Sequence, residues 1–320
     1  MHSFFSLASL RETLYIFARQ NTDLTNKTTA HLALLGTNIF FALNYTAIKY
    51  LMQQGLVKPF GLNLIRVGVS MILLWILFVF KPVKTRIDKK DTGRFILCAL
   101  TGIAINQLLF VKGLSYTYSI HASLLMLTTP ILITIIAAWF LKEKLTGYKI
   151  VGLACGVIGA VVLVTSKESS GEGSKVLLGD IFIILNAISY TIYFVLVKPL
   201  MVKYNPVIVI RMVFTIGFFM ILPFCWTEFT QVTWQSFDTT DFMILFMIVF
   251  CGTFLAYLFN VYGIKILGAS VAGTYIYSQP FFAAAIAIMF LGESLSFSKI
   301  IAAALIFAGV YLSNKSSSHG

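Results

Sequence analysis

The chain reads as long apolar runs separated by short polar stops. The runs lie near 31–51, 60–80, 94–114, 120–141, 148–165, 178–198, 206–226, 241–264, 270–291 and 298–313. Each is close to the roughly 20 apolar residues that carry an α-helix across the hydrocarbon core of a bilayer. The expected fold class is therefore an all-α integral membrane protein with ten transmembrane helices. One stop differs from the rest: Ser166 to Lys175 reads SKESSGEGSK, where glycine, serine and charge replace apolar residues as in a flexible linker. It divides the runs into two sets of five. The expected organisation is a first half at 30–165, a linker at 166–177 and a second half at 178–313. Residues 1–29 form a tail or a helix lying on the membrane surface, and residues 314–320 a short tail.

The two halves resemble each other in register. At an offset of 150 residues Gly113 falls on Gly263, Pro130 on Pro280, Phe140 on Phe290 and Glu143 on Glu293. Leu145, Lys149, Ile150, Ala154 and Gly159 meet Leu295, Lys299, Ile300, Ala304 and Gly309 at the same offset. A constant register across two runs and their connection marks an internal repeat. Small gaps extend it upstream, with Lys49 opposite Lys198 and Arg66 opposite Arg211. An odd number of spans per half makes the second half enter the membrane from the other side. The repeats are then inverted, as in many carriers whose site lies between the repeats near the midplane.

Composition narrows the function. Of 320 residues, 58% are hydrophobic and 11% charged, about half the charged fraction of a soluble domain. With a mean hydropathy of +0.89, no room remains for a soluble enzyme domain. The net charge of +12 sits at the ends of apolar runs and not on a soluble basic face, so nucleic acid is not an expected partner. Lys81, Lys84, Arg86, Lys89, Lys90, Arg94, Lys142, Lys144, Lys198, Lys203 and Lys265 fall on one side of the membrane, with the N-terminal cations and Lys315. By the positive-inside rule both termini are expected in the cytoplasm. Cys98, Cys155, Cys225 and Cys251 lie inside apolar runs without metal-site or disulfide spacing. Neither metal nor cofactor is expected. Gly152, Gly156 and Gly159, mirrored by Ala304 and Ala308, form a small-residue face that fits a partner helix within the chain or a second subunit in a homodimer.

The stretch Ala42 to Leu51, ALNYTAIKYL, is similar to the first-helix pattern of the EamA-like branch of the drug/metabolite transporter superfamily. Gly113 to Leu145 contains Ala122-Ser123-Leu124-Leu125, Pro130 and Leu141-Lys142-Glu143-Lys144-Leu145. It resembles that family's most recognisable segment and recurs as Gly263 to Leu295. The likeness covers about residues 31 to 313. It departs from the pattern at Phe41-Ala42, where Trp-Gly is usual, and at Lys112, a position commonly apolar or aromatic. The resemblance implies inverted five-helix repeats in a bacterial inner membrane, a central cavity and alternating access. It also implies movement of amino acids, other metabolites, nucleotide sugars or drugs, with export the expected direction.

Polar groups deep in a span face a neighbouring helix or a water-filled cavity. Asn44, Asn106, Gln107, Tyr193, Tyr257, Asn260, Tyr277 and Gln279 are the deepest such groups in the helices that the resemblance assigns to a cavity. Each alone also fits interhelical hydrogen bonding; as a set they are the expected substrate-binding residues. Lys112 joins them as a cation that attracts an anion or, alternatively, snorkels to the headgroups. Pro130 and Pro280 are expected kinks that free backbone carbonyls. Lys49, Lys198, Arg66 and Arg211 read as anchors near span ends, and Glu143 and Glu293 as caps of helix N-termini. No Asp or Glu lies near the centre of a span, which disfavours coupling through a central carboxylate. A membrane enzyme would need a nucleophile and base, metal ligands or paired acids; with histidines only at 2, 31, 121 and 319, no such motif is present, and no catalytic residue is assigned. A channel also fits the composition, although the inverted repeat fits a rocking carrier better; a non-transporting membrane scaffold is the further alternative.

Overall fold

A backbone surrounded by lipid must satisfy its own N–H and C=O groups, and an α-helix does this within one segment. The computed structural model describes residues 7–80, 87–129, 132, 147–165, 173–267 and 275–315, among which there is no strand. In chain order these residues form α1 (Leu7–Gln53), α2 (Pro59–Phe80), α3 (Lys89–Tyr116), α4 (Ser119–Met126) and α5 (Gly147–Thr165). The second half forms α6 (Gly173–Lys203), α7 (Pro206–Thr230), α8 (Thr239–Leu267), α9 (Gln279–Leu291) and α10 (Phe297–Lys315). Among the described residues, α2, α3, α6, α7, α8 and the Lys27–Gln53 part of α1 are long and apolar enough to cross a membrane. Ile150–Leu163, Ile276–Leu291 and Phe297–Gly309 are shorter apolar helices. Pro130, Glu143 and most of the glycine-serine linker lie outside the described residues; α6 already begins inside the linker range, at Gly173.

Local sequence sets where these helices start and stop. Asn205 accepts a hydrogen bond from the backbone N–H of Val207 at 3.0 Å, and Pro206 starts α7, where its missing N–H costs nothing. Asp238 and Asp241 form a reciprocal capping box at the start of α8. Gly292 ends α9 at a φ of 65°, a left-handed conformation that glycine adopts without a Cβ clash. Pro280 lies in the first turn of α9, after a 3-10 turn at Ile276–Ser278, so the helical path changes character at the expected kink. Two π-helical turns, Leu100–Ala104 in α3 and Met247–Leu255 in α8, occupy corresponding places in the two halves. Such turns misalign the local ladder and redirect the side chains that follow.

Packing pairs helices across the halves: α1 with α8, α3 with α6, α2 with α7 and α5 with α10. The small-residue face of α5 meets α10 within the chain. A Cβ added to Gly309 would lie 2.5 Å from the carbonyl oxygen of Gly152 and 2.6 Å from the nitrogen of Gly156, so the two backbones approach as closely as glycine permits. Large apolar side chains such as Val79, Phe80, Phe219, Phe224, Phe281 and Phe290 are exposed, a surface that suits lipid and not water.

Candidate functional site

A cavity of about 120 Å³ lies between the helix pairs, just beyond both π-helical turns. Of the residues expected at a substrate site, Asn44, Asn106, Gln107, Tyr257, Asn260 and Gln279 line it. Tyr193 lines an adjoining cavity of about 500 Å³, which shares Tyr190, Phe194, Tyr257 and Asn260 with the first. Two expected residues line neither cavity. Tyr277 packs against the apolar core, and the Lys112 ammonium lies 4.7 Å from the ring centroid of Tyr116 and 5.8 Å from that of Phe60.

The lining is held by hydrogen bonds between helices. Gln279 donates from Nε2 to Asn38 Oδ1 at 2.8 Å, tying α9 to α1. Gln107 donates from Nε2 to the Tyr257 hydroxyl at 3.0 Å, tying α3 to α8. Asn106 donates to the carbonyl of Asn186 at 3.2 Å, and Asn186 donates back to the carbonyl of Asn106 at 2.7 Å. Thus Asn106 both fastens a helix pair and lines the cavity. The two readings of a deep polar residue are not exclusive.

A matched pair of close contacts flanks the cavity. Asn44 donates to the carbonyl of Gly252 at 3.2 Å, and a Cβ on Gly252 would lie 2.7 Å from the Asn44 amide. In the corresponding place of the other half Tyr193 covers Gly102, where a Cβ would lie 2.5 Å from the ring. Gly102 and Gly252 are 150 residues apart, the same offset as the repeat, and that spacing was the signal by which they could have been found. Sequence reasoning passed over Thr37 and Asn38 and placed Arg66 at a span end; these line the cavity together with Thr129, Asn186 and Tyr190, which are deep polar groups in the sequence as well.

The two ends of the bundle differ. At the start of α3, Asp91 accepts hydrogen bonds from Lys203 at 2.6 Å and Tyr204 at 2.5 Å. The larger cavity reaches this end, where Tyr204, Asn205, Lys198 and Lys265 line it. At the opposite end of α3 lies a buried polar cluster. The Lys49 ammonium donates to the Thr117 carbonyl, the Thr117 hydroxyl donates to Asp180, and Asp180 Oδ2 lies 3.1 Å from His121 Nδ1. His121 and Asp180 have no solvent exposure. Lys299 donates to the Ser294 carbonyl at 2.9 Å and sits 4.8 Å over the Tyr118 ring, which Lys49 also approaches, at 5.0 Å. Buried charges persist when they are hydrogen-bonded and near opposite charge. These come from α1, α4, α6, α10 and the turn before α4, so the cluster joins both halves.

The sequence pattern of the EamA-like transporter family matches this chain twice, over residues 28–165 and 177–315. A protein named uncharacterized transporter from Clostridium kluyveri is 26% identical over 299 residues, covering 89% of this chain and 94% of that protein. Another of that name from Archaeoglobus fulgidus is 25% identical over 279 residues, covering 86% and 95%. A protein from Streptantibioticus cattleyicolor named probable terminal-alkyne amino-acid exporter is 26% identical over 259 residues, covering 80% and 84%. A solved crystal structure with 16% identity superposes with a TM-score of 0.55 over 93% of this chain and 98% of its own, a likeness of fold.

Proposed function

We propose, from the premise that the chain belongs to the EamA-like transporter family, that it is a secondary transporter that moves a small metabolite or drug by alternating access. The membrane character and the transporter class follow from the family, the named relatives and the apolar helices. The finer reading is ten spans in two inverted five-helix repeats, in a bacterial inner membrane with both termini cytoplasmic. The observation that carries it is the asymmetric cavity. The cavities between the halves extend to Tyr204 at one end, whereas Lys49, Thr117, Asp180 and His121 at the other end line neither and form a buried cluster, which we read as the outer gate. With the lysine- and arginine-rich end inside, this is an inward-facing carrier with a shut outer gate. Export is the favoured direction, and an amino acid or related compound the favoured substrate, in keeping with the exporter from Streptantibioticus cattleyicolor.

Transport by purified protein in liposomes, with and without a proton gradient, tests this against a metabolite panel. A carrier saturates and shows stimulation by substrate on the opposite side. Flux that rises linearly with concentration would mark a channel, and absence of both flux and ligand-dependent thermal stabilisation would leave a scaffold.

A further inference from the structure

The cavity is lined by one cation and, among the described residues, by no acidic side chain: Arg66 of α2 enters it at 3% exposure. Its Nε donates to the Thr253 hydroxyl of α8 at 3.3 Å. Its Nη1 is buried with no hydrogen-bond partner among the described residues. A guanidinium carries five donors in a planar fork and stays charged, and holding it dry inside a membrane protein is costly unless something compensates. The Phe110 ring, 5.9 Å from the guanidinium carbon, compensates weakly at that distance. The amide oxygens of Asn44 and Gln107, which line the same cavity, are also buried without partners among the described residues. The chamber therefore presents an unused cationic donor beside unused neutral acceptors.

Resting on the reading of this cavity as the transport site, we propose that Arg66 recognises an anionic group of the substrate. The ligand class is a carboxylate, or an anion of similar shape, carrying a hydrogen-bond donor on a neighbouring atom for the Asn44 and Gln107 oxygens. A carboxylate completes the guanidinium fork, and the adjoining 500 Å³ cavity holds the rest of the molecule. Lys198 and Lys265 line only the adjoining cavity, towards its Tyr204 end, and two further cations point elsewhere. Lys112 lies against Tyr116 and Phe60. Arg211, opposite Arg66 in the repeat, lies over the rings of Phe78 and Trp75, at 3.6 and 4.5 Å, and lines neither cavity. Two arginines at corresponding places thus have different surroundings, and only Arg66 enters the chamber. A purely architectural role would be expected to serve both halves alike.

The test uses short-chain carboxylic acids, with and without an α-amino group, each paired with its own primary carboxamide. Thermal stabilisation of the purified protein and saturable uptake into liposomes are measured for wild type, Arg66→Lys and Arg66→Gln. In wild type at least one acid binds about tenfold to a hundredfold more tightly than its amide, the worth of one charge-assisted contact. Arg66→Gln weakens the acid far more than its amide, so that the preference is lost, and Arg66→Lys keeps part of it. Should Arg66→Gln fail to fold, the selective loss of acid over amide binding in Arg66→Lys carries the same information. An undiminished acid preference in both folded variants, or a wild type that transports only neutral or cationic compounds, overturns the assignment and leaves the transport reading intact. A wild type that transports and binds nothing overturns both.

Discussion

Glu293 Oε1 accepts a hydrogen bond at 2.7 Å from the backbone N–H of Ser119, a residue 174 positions earlier in the chain. Its second oxygen accepts from Ile120 at 3.0 Å, so one carboxylate after α9 caps the first turn of α4 in the other half. The expected capping role is thus exercised across the halves and not on the next helix in sequence. Ser119 is fully buried and Glu293 is 8% exposed, which keeps water from replacing the cap. Glu293→Ala is expected to cost about 3 kcal/mol, because two buried donors lose a charged acceptor. Glu293→Gln, which keeps one acceptor, should cost about half as much. Thermal unfolding in detergent measures both, and an unchanged midpoint for Glu293→Ala would count against the cap.

Gly102→Ala and Gly252→Ala should each disturb one flank of the cavity. The added methyl meets the Tyr193 ring at 2.5 Å in the first and the Asn44 amide at 2.7 Å in the second. Overpacking of this kind costs about 1 to 3 kcal/mol. The Tyr193 ring is stiff, so Gly102→Ala should lower thermal stability more than Gly252→Ala. The latter should instead lower transport at nearly normal yield, by moving Asn44. Equal stability losses and equal transport would refute the distinction.

Asn106 and Asn186 each donate to the other's backbone carbonyl, so each alanine replacement removes one bond and leaves the other acceptor in place. Each single variant should lose about 1 kcal/mol, within the range measured for hydrogen bonds between membrane helices. The double variant should lose about the sum. A strong departure from additivity in detergent unfolding would mean that the two amides act as one unit.

Lys112→Gln should leave the apparent affinity for anionic compounds unchanged, because the ammonium rests on Tyr116 and lines neither cavity. A stability loss of about 0.5 to 1 kcal/mol is expected from the lost cation–π contact. Reduced affinity at normal folded yield would return Lys112 to the substrate path.

Single cysteines placed at Asp88 and Ser170 should react with an impermeant reagent from opposite sides of the membrane. The asymmetry of Lys and Arg is the ground for expecting the first inside and the second outside. Reaction from the same side would overturn the orientation and, with it, the inward-facing assignment of the cavity.

Helical membrane character was legible because it depends on run length alone: an apolar stretch that is long enough has no other way to satisfy its backbone in lipid. The doubled organisation was legible for a similar reason, since matched residues such as Gly113 and Gly263 keep their offset whatever the packing. Part of the polar cavity lining was also within reach. Asn44, Asn106, Gln107, Tyr257, Asn260 and Gln279 are costly to face toward lipid, and the cavity receives them.

Facing was not legible. A span is apolar toward lipid and apolar toward its neighbours, so the periodic contrast that marks the buried side of a soluble helix is weak here. Tyr277 and Lys112 could not be separated from Tyr257 and Arg66 by depth alone. His121 and Asp180 lie 59 positions apart with no pattern linking them, yet they meet at 3.1 Å with no exposure. What the sequence by itself determined was what repeats or accumulates along one dimension: apolar length and the 150-residue register. Only the tertiary structure decided which distant groups meet, such as Arg66 with Thr253, 187 residues apart. Such meetings depend on helix rotation and tilt, which close contacts at residues such as Gly102, Gly252 and Gly309 set and no local pattern encodes.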